Sequence, residues 1–524
     1  MTATTNPPAT PQPSQPSQTP RTALERERKF DFPLDLPIPD LRAHGPIAGQ
    51  SDPLEERLDA TYYDTPRYDL ARAGVTLRRR TGGGDEGWHL KLPVGKDARE
   101  EITLPLGDSE APTAEVPREL AELVRGHTRG ADLIAIAGLR TVRYSVELAD
   151  ADGRVLATLT DDHVTGEAAG TVARLDQWRE LEVELSADAG DGTLDTVADL
   201  VVEAGAVPSE WPSKLRRLIG DLLPADTRKA PGKKATAGDV VLHYLRTQVD
   251  ALHRHDAGVR RDTEDSVHQM RVAMRRLRSA LGAFRRVLDR DAVQPVRDEL
   301  KWLGGELGPV RDNEVLHAGL AGQAAGLPRR LTIGPVAVFL DTYFEQRARR
   351  AKAHALTALN STRYLNLLRA LDSLLDDPPL TKKAKRPART ELRQAVLRAD
   401  RRLRRAVAAL DGAEDRGAAL HEVRKKAKQA RYTADALRPV AGKKLNAWRK
   451  RVKAVQSTLG DHHDSVVARA ELVPLAVAAD RDGHSSFSYG VLHGRNELEA
   501  ERLDAEFRRK WPQVADGATP GWLR

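Results

Sequence analysis

The segment "ALERERKF" (residues 23–30) decides how the first half of the chain folds, because its charged residues recur with a period of two. Alternate side chains of a β-strand point to the same face of the strand. Glu25, Glu27 and Lys29 therefore share one face of an extended segment. The pattern predicts a strand with one heavily charged face.

Three further segments repeat this alternation. Their charged faces carry Arg78 and Arg80 in "VTLRRRT", His89 and Lys91 in "WHLKLP", and Glu180, Glu182 and Glu184 in "WRELEVEL". In an ordinary half-buried sheet such faces contact water. Rows of carboxylates beside rows of Arg and Lys also suit a metal-bound triphosphate, since carboxylates bind Mg²⁺ or Mn²⁺ and cations bind phosphate oxygens. A closed barrel would bring these faces together around one lumen.

The order and spacing of these segments resemble the CYTH superfamily of triphosphate tunnel proteins. The matching segments are "ERERK", which has the ExExK form, "ATYYDTPRYDLARAGVTLRRR", "HLKLP" and the late Glu strand, and the resemblance covers residues 22–222. It implies an antiparallel eight-stranded β tunnel that binds triphosphate and a divalent metal, Mg²⁺ or Mn²⁺. If hydrolysis occurs, we expect metal-assisted in-line attack of water on the terminal phosphoryl group, with no general base identified.

The resemblance also implies roles for individual residues. Glu25, Glu27 and Lys29 of the opening strand are the candidate catalytic residues. The metal side is matched by Glu25, Glu27 and two of Glu180, Glu182 and Glu184, with the choice among these three open. The phosphate side is matched by Lys29, Arg78, Arg80 and Lys91. Further tunnel positions of the family fall on Arg140, Arg143 and Lys214 as triphosphate-binding residues and on Asp162 as a metal ligand, or on Asp161 in place of Asp162 if the register differs by one residue.

Charge divides the chain into two parts. Residues 1–230 carry 27 Lys and Arg against 40 Asp and Glu, whereas residues 231–524 carry 56 against 36. The composition of "PADTRKAPGKKATAG" (residues 224–238) is typical of a flexible linker, and we place a linker at residues 224–237. The Pro, Ser, Thr and Gln content of residues 1–20 predicts a disordered tail.

The basic second half follows a helical period of about 3.6. In "SVHQMRVAMRRLRSAL" (residues 266–281), His268, Arg271, Arg275 and Arg278 fall within an arc of about 80° when each residue advances about 100°. Apolar residues occupy the opposite face. The segment therefore predicts a helix that packs on one side and presents a cationic stripe on the other.

The stripe is duplicated. His421, Arg424, Lys428 and Arg431 repeat its spacing 153 residues later, and residues 295–316 match residues 447–468 at a shift of 152. So many matches at a nearly constant shift indicate an internal repeat, which predicts two related helical bundles. Neither histidine has a carboxylate or second histidine four residues on, so a metal site built on them is not expected.

The repeated motifs, HxxRVxxRRLR at residues 268–278 and LGxxRD at residues 307–312, resemble the CHAD domain, an α-helical domain with conserved histidines that often follows CYTH. The resemblance covers residues 238–515 and implies that inorganic polyphosphate binds along the basic surface. The second copy departs from the motif at Lys428, Gln429 and His463. The candidate polyphosphate-binding residues are His268, Arg271, Arg275, Arg276, Arg278, Arg297, Lys301, His421, Arg424, Lys425, Lys428, Arg431, Arg449 and Lys453.

Taken together, these patterns predict a two-domain α+β protein, an eight-stranded tunnel (22–222) followed by an all-α domain with a two-fold repeat (238–515). We expect a polyphosphate-binding protein whose tunnel hydrolyses tripolyphosphate or polyphosphate ends. The alternatives are a non-catalytic polyphosphate scaffold and, with no feature that selects adenine, an adenylyl cyclase. An aromatic content of 4% argues against nucleic acid as the partner. The absence of cysteine and of long apolar runs leads us to expect no membrane insertion and a cytoplasmic location, with polyphosphate granules as a further expectation.

Overall fold

A computed structural model describes residues 20–95, 97–107, 115–168, 174–190, 192–223, 230–441 and 443–515, apart from the side chains of residues 443 and 444. The chain divides into two compact units, residues 1–226 and 227–524. The predicted tail (1–20) falls almost wholly outside the described residues, as does the first part of the predicted linker, residues 224–229.

The first unit is built mainly from β-strands. Its strands are β1 (Arg21–Asp31), β2 (Gly49–Gln50), β3 (Leu54–Asp64), β4 (Thr76–Thr81), β5 (Gly87–Pro93), β6 (Ala98–Leu104), β7 (Ile134–Ala149), β8 (Val155–Ala168), β9 (Arg174–Leu185) and β10 (Val207–Pro208). Its helices are α1 (Asp69–Arg72), α2 (Arg118–Leu123), α3 (Arg125–Thr128), α4 (Thr193–Glu203) and α5 (Lys214–Ile219).

Eight of these strands close into a barrel. The order of hydrogen-bonded neighbours is β1-β6-β5-β4-β3-β7-β8-β9, and β9 pairs with β1 to complete the circle. Every pairing is antiparallel, while the short strands β10 and β2 add to β1 and β7. The predicted antiparallel eight-stranded tunnel is confirmed.

The barrel has an apolar layer outside its wall. Phe30 of β1 and Leu181 and Val183 of β9 are buried against Val197 and Val201 of α4. Residues on a strand alternate between its two faces, so covering this face with α4 turns the intervening charged residues toward the lumen. The period of two in the sequence therefore places charge inside the barrel rather than in bulk water.

Helix α5 lies against one end of the lumen. Leu215 and Leu218 of α5 pack in one apolar cluster with Trp178, Val164 and Tyr62 of the barrel strands. This packing holds the first residue of α5, Lys214, against the charged residues farther inside.

The second unit is helical throughout its described elements. Its α-helices are α6 (Ala237–Arg261), α7 (Ser266–Ala283), α8 (Arg290–Glu306), α9 (Gly308–Ala325), α10 (Val336–Asn360), α11 (Thr362–Asp376), α12 (Ala388–Glu391), α13 (Arg393–Ala408), α14 (Arg416–Asp435), α15 (Lys443–Arg481) and α16 (Phe487–Ala515). Helix α6 starts at the end of the expected linker, where Thr236 and Asp239 form a capping box.

The internal repeat is visible in the helices, with one difference. Helices α7 and α14 correspond, but α8 and α9 of the first copy correspond to the single helix α15 of the second. Pro309 explains the break, because proline lacks the amide hydrogen and clashes with the preceding turn of a helix. It lies in the first turn of α9, and the equivalent residue in the continuous helix is Asp461.

Candidate functional sites in the barrel and on the basic helices

A lysine lies among three acidic residues at the α5 end of the lumen. Lys214 Nζ is 2.7 Å from Asp162 Oδ2, 2.8 Å from Glu180 Oε1 and 2.6 Å from Glu182 Oε1. All four side chains are buried. Oxygens of the three acids lie within 4.8 Å of one another, a spacing that could also hold a metal ion. The ammonium group of Lys214 occupies the position that a metal ion bound by these three acids would have.

The same three acids have other donors. Arg143 donates two hydrogen bonds of 2.7 Å to Asp162 and one of 3.3 Å to Glu182. Trp178 Nε1 donates to Glu180 at 2.6 Å, and Lys29 pairs with Glu182. Burial alone would raise the pKa of Asp162, but Lys214 and Arg143 outweigh it and lower that pKa. The pKa of Glu182 is likewise well below its ordinary value despite burial, because of Lys214, Lys29 and Arg143.

A second group of charges lies on β1, β5 and β6. Lys91 Nζ donates to Glu25 at 2.9 Å and lies 3.5 Å from Glu101, whose carboxylate is 2.8 Å from His89 Nδ1. Burial, opposed by Lys91, raises the pKa of Glu25 to about 7. Burial also lowers the pKa of His89 to about 4, with Arg78 and Arg80 adding to the effect. A neutral imidazole and a partly protonated acid thus lie beside Lys91.

Two carboxylates face each other across the β1–β9 pairing. Glu27 is the register partner of Glu184, and the next inward-facing pair is Lys29 with Glu182. Glu27 has Lys29 at 3.0 Å and Arg99 at 3.6 Å. Within the described part of the chain, no ion-pair partner lies within 4.0 Å of Glu184, which is exposed. Like charges directly opposite on neighbouring strands destabilise a sheet unless a cation lies between them.

The cationic side of the lumen contains Arg78 and Arg80 on β4. Arg78 donates a long 3.4 Å hydrogen bond to the hydroxyl of Tyr62, and Arg80 pairs with Asp85. Burial, together with the neighbouring Arg78 and Arg143, lowers the pKa of Arg80 to about 9. Three guanidinium groups held this close in a buried site repel one another. An anion bound among them would relieve the repulsion.

Two of the predicted tunnel positions lie elsewhere. Arg140 is exposed and lies three residues before Arg143 on β7, which places it on the opposite face of the strand. Asp161, the alternative to Asp162, accepts two 2.8 Å hydrogen bonds from Arg179 outside the lumen. Asp162 is therefore the residue that the fold turns inward. The structure brings the other predicted barrel residues together in the lumen. Of the three glutamates on β9, Glu180 and Glu182 are buried and Glu184 is exposed.

In the helical unit, the two cationic stripes lie side by side, because α7 packs against α14. Arg275 of the first stripe is close enough to Arg424 and Lys428 of the second to lower the pKa of both. Burial is the larger cause, and together these effects bring the pKa of Lys428 to about 8. Within the described residues, Arg275, Arg278 and Lys428 have no carboxylate partner within 4.0 Å.

The first arginine of each stripe is anchored in the same way. Arg271 donates to the backbone carbonyls of Leu307 and Gly308 and lies 3.4 Å from Asp312. Arg424 lies beside Gly460 and 3.9 Å from Asp464, the repeat equivalents of Gly308 and Asp312. The LG…D segments of the sequence therefore position the stripe arginines.

The histidines of the two stripes have different neighbours. The rings of His421 and His463 are in contact, with centroids 4.2 Å apart and planes inclined at 38°, and burial followed by Arg424 lowers the pKa of His463 to about 4. Arg311, the repeat equivalent of His463, lies close enough to His268 to lower its pKa, although burial is the larger cause. At this position of the repeat, the first copy thus has a permanently charged arginine, whereas the second copy has the neutral ring of His463.

Comparison with protein families identifies both units. A CYTH domain matches residues 23–219 and a CHAD domain matches residues 243–473. This chain is a CYTH–CHAD protein. An uncharacterized protein of Mycobacterium tuberculosis (strain H37Rv) is 36% identical over 516 residues, which are 94% of this chain and 98% of that protein.

Solved structures similar to this chain include two with extensive coverage. The CHAD domain from the plant Ricinus communis is 27% identical with a TM-score of 0.45, over 56% of this chain and 94% of that one. PptA from Streptomyces chartreusis is 24% identical with a TM-score of 0.44, over 53% of this chain and 99% of that one. Across the described part of the CYTH–CHAD chain, no helix has the length and apolar character needed to cross a membrane.

Arg431 of the second stripe and the remaining predicted residues of the CHAD domain have contacts of several kinds. Arg276 and Arg431 both lie over the ring of Tyr432, at 5.9 and 4.7 Å from its centroid. Arg449 is paired with Asp435 at 2.7 Å. Lys425 pairs with Glu422 at 2.5 Å, while Lys301 and Lys453 are exposed. Arg297 lies across Gly282.

Sequence reasoning missed two residues in the lumen of the CYTH domain, Arg99 and Glu101 of β6. Their signal is the alternation in "AREEITL" (residues 98–104), which puts both on one face of the strand. The adjacent Glu100 obscures this pattern. Glu101 is recognisable only through its contacts with His89 and Lys91 from the neighbouring strand.

Proposed function

We propose that the CYTH domain binds the triphosphate end of tripolyphosphate or polyphosphate with a divalent cation and hydrolyses it, and that the CHAD domain binds inorganic polyphosphate. The observation that carries the first half is the segregation of charge within one lumen. Carboxylates line β1, β8 and β9, whereas Arg78 and Arg80 occupy β4 and have, among the described residues, one ion-pair partner between them, Asp85. Family membership supports the proposal.

The acidic residues fit a hard divalent cation such as Mg²⁺ or Mn²⁺, because every donor is a carboxylate oxygen. Asp162, Glu180 and Glu182 are already bound by Lys214 and Arg143. Glu25 and Glu27 have single lysines, Lys91 and Lys29, within 3.0 Å, and Glu184 has no ion-pair partner among the described residues. Glu25, Glu27 and Glu184 would hold the metal, because Glu27 and Glu184 face each other across the β1–β9 pairing. The ion would supply Lewis-acid polarisation of phosphate oxygens and a more acidic bound water.

Side chains of the protein would bind and orient the phosphate groups. Arg78, Arg80 and Arg143 would neutralise the charge that develops on phosphate oxygens, and Arg offers paired donors for this purpose. Lys91, between Glu25 and Glu101, would orient the terminal phosphoryl group. For the CHAD domain, Arg275, Arg278 and Lys428 offer many weak phosphate contacts along a repetitive ligand, which add through effective concentration.

The test measures phosphate release from tripolyphosphate, long-chain polyphosphate and ATP with Mg²⁺ or Mn²⁺. We expect release by the full chain, at least 100-fold slower in Glu27→Ala because a buried electrostatic contact to the transition state is typically worth about 10²–10³ in rate. Glu55→Ala is the matched control, since Glu55 lies on β3 outside the lumen and is exposed. Equal rates in wild type and Glu27→Ala would refute the assignment. Binding without release would identify a triphosphate receptor, and cyclic nucleotide formed from ATP would identify a cyclase.

A further inference from the structure

A cationic cluster outside the duplicated stripes lies on the helical unit. It is formed by Arg285, Arg286, Lys383, Arg386, Arg398 and Arg402, which we call the Arg398 cluster. These residues come from three separate stretches of chain, the turn that follows α7, the segment 381–386 and α13. Arg398 is close enough to Arg285, Arg286 and Arg402 for them to lower its pKa, although burial is the larger cause.

One carboxylate lies at the centre of the Arg398 cluster. Glu391 is buried, accepts hydrogen bonds from Arg286 and lies 3.6 Å from Arg386. Among the residues that the structure describes, no other carboxylate comes within 4.0 Å of the six basic side chains. Six cations thus share a single anion.

The backbone holds these cations together. The segment before α12 is hydrogen-bonded on one side to the connection between α7 and α8, through Thr381 N to Val287 O at 2.9 Å and Asp289 N to Pro379 O at 2.8 Å. On the other side it is bonded to the start of α6, through Ala237 N to Arg386 O at 2.8 Å. The charges cannot move apart by a simple shift of the loop. An anionic ligand bound among them would relieve their repulsion.

The Arg398 cluster continues the first stripe. Arg285 follows Arg278 by seven residues and lies just beyond the end of α7, two residues after Ala283. The guanidinium of Arg297, from α8, lies against Gly282, which is between Arg278 and Arg285 in the chain. A Cβ added at Gly282 would be only 3.1 Å from Nη2 of Arg297. Arg297 also contributes to the lowered pKa of Arg278, after burial. Arg297 therefore extends the α7 stripe to the last turn of that helix, which Arg285 and Arg286 of the cluster follow directly in the chain.

We propose that the Arg398 cluster is an additional binding segment for inorganic polyphosphate, contiguous with the α7 stripe, which makes the affinity of the CHAD domain depend on chain length. The proposal rests on the proposed polyphosphate binding and extends it. A short chain fills the stripe alone, whereas a long chain reaches the cluster. Within the described residues no aromatic ring lies over these six side chains, which favours a ligand made only of phosphates over a nucleic acid with bases to stack.

The test compares affinities of the full chain for a short-chain and a long-chain polyphosphate at several salt concentrations. The cluster variant is Arg285→Gln/Arg398→Gln/Arg402→Gln, which spares Arg286 and its contact with Glu391. We expect its long-chain affinity to fall at least tenfold and its salt slope to drop by about two, since each phosphate contact contributes roughly 0.7–0.9 to that slope. Its short-chain affinity should stay within twofold of wild type.

The matched control is Arg329→Gln/Arg330→Gln/Arg350→Gln, which removes the same charge from exposed positions elsewhere in the helical unit. Circular dichroism and thermal unfolding verify that both variants fold. Equal long-chain affinity of the cluster variant and wild type would overturn the inference while leaving polyphosphate binding intact. An equal loss in the control would also overturn it, because net charge would then explain the effect. Failure of wild type to bind any polyphosphate would instead refute the proposed function.

Discussion

At the scale of single residues, Lys214 is the side chain on which the interior of the barrel depends most. Its ammonium group contacts three buried carboxylates at 2.6–2.8 Å. A buried ion pair stabilises little relative to apolar packing, but removal of one partner leaves uncompensated charge behind. Lys214 therefore acts as a cross-link between α5 and strands β8 and β9.

Replacing this cross-link gives the first prediction at the residue scale. Lys214→Met should lower the free energy of unfolding of the barrel at pH 7 by about 3–5 kcal/mol, the usual cost of breaking a buried pair. Hydrogen exchange of peptides from β8, β9 and α5 measures the loss. Arg57→Gln is the control, because the Arg57 side chain is 83% exposed and its pair with Glu55 should contribute less than about 1 kcal/mol.

The pH dependence of this loss has a definite sign. Asp162 and Glu182 have lowered pKa values in the folded protein. Their stabilising contribution is therefore present above the ordinary carboxyl range and is lost as the pH falls through the folded values. Without Lys214 these pKa values rise and the folded variant takes up protons. The difference between wild type and Lys214→Met should shrink from pH 7 toward pH 4, and a difference that grows toward acid would contradict this account.

For single residues, the sequence predicted the lumen side chains only where it also showed which face of a strand each side chain is on. The period of two identified Glu25, Glu27, Lys29 and Lys91 because each belongs to an evident alternating strand. It could not decide between Asp161 and Asp162, since adjacent residues differ only by strand register. The pairing of β8 with β9 decides it by opposing Asp162 to Glu180. Arg140 and Arg143 form a similar case, because a spacing of three places two strand residues on opposite faces.

At the scale of elements, the contact between α7 and α14 brings like charges from the two repeats together. Lys428 stands where the first copy has an arginine, Arg275, and its pKa is about 8 because of burial and then Arg424 and Arg275. An ordinary lysine stays charged far above neutral pH. This substitution in the second copy thus makes part of the surface sensitive to mildly alkaline pH.

Affinity for polyphosphate should therefore change with pH through Lys428. From pH 7 to pH 9 we expect the affinity of wild type to fall about tenfold, the value of one charge-assisted contact of about 1.5 kcal/mol. Binding should take up a proton near pH 8, because the phosphates favour the charged amine. Calorimetry in buffers of different ionisation enthalpy measures both quantities.

Lys428→Arg is the discriminating variant for this prediction, since arginine keeps its charge throughout this range. Its affinity should be nearly constant from pH 7 to pH 9, with no proton uptake. His421 and His463 have lowered pKa values and are neutral already at pH 7, so they do not contribute to the change. An identical pH profile in wild type and Lys428→Arg would show that another group is responsible.

The elements themselves were largely predictable, because their patterns are local. Charged alternation marked the strands β1, β4, β5 and β9, and the constant shift between repeats marked α7 and α14. The break between α8 and α9 also has a local cause in Pro309. What local patterns could not show is which elements meet, such as Glu101 beside His89 or Arg398 beside Arg285. Those contacts depend on strand order and helix packing.

At the scale of the whole molecule, the chain joins an acidic unit with charge buried inside it to a basic unit with charge on its surface. Salt screens exposed charges far more than buried ones. Binding at the CHAD stripes should therefore weaken steeply with salt, because a polyanion is held by release of its counterions. Turnover in the CYTH lumen, where the charges are shielded from solvent, should depend on salt much less.

This difference predicts that the two functions separate under mutation. Arg275→Gln/Arg424→Gln should lower affinity for long-chain polyphosphate at least tenfold and reduce its salt slope, yet leave the turnover of tripolyphosphate within twofold of wild type. Glu27→Ala should do the reverse, abolishing turnover while leaving long-chain affinity unchanged. Both variants are measured in the full chain by phosphate release and by titration with long-chain polyphosphate. Loss of both functions in either variant, with its fold verified by circular dichroism, would contradict this separation, because the effects of mutations at distant, independent sites do not depend on one another.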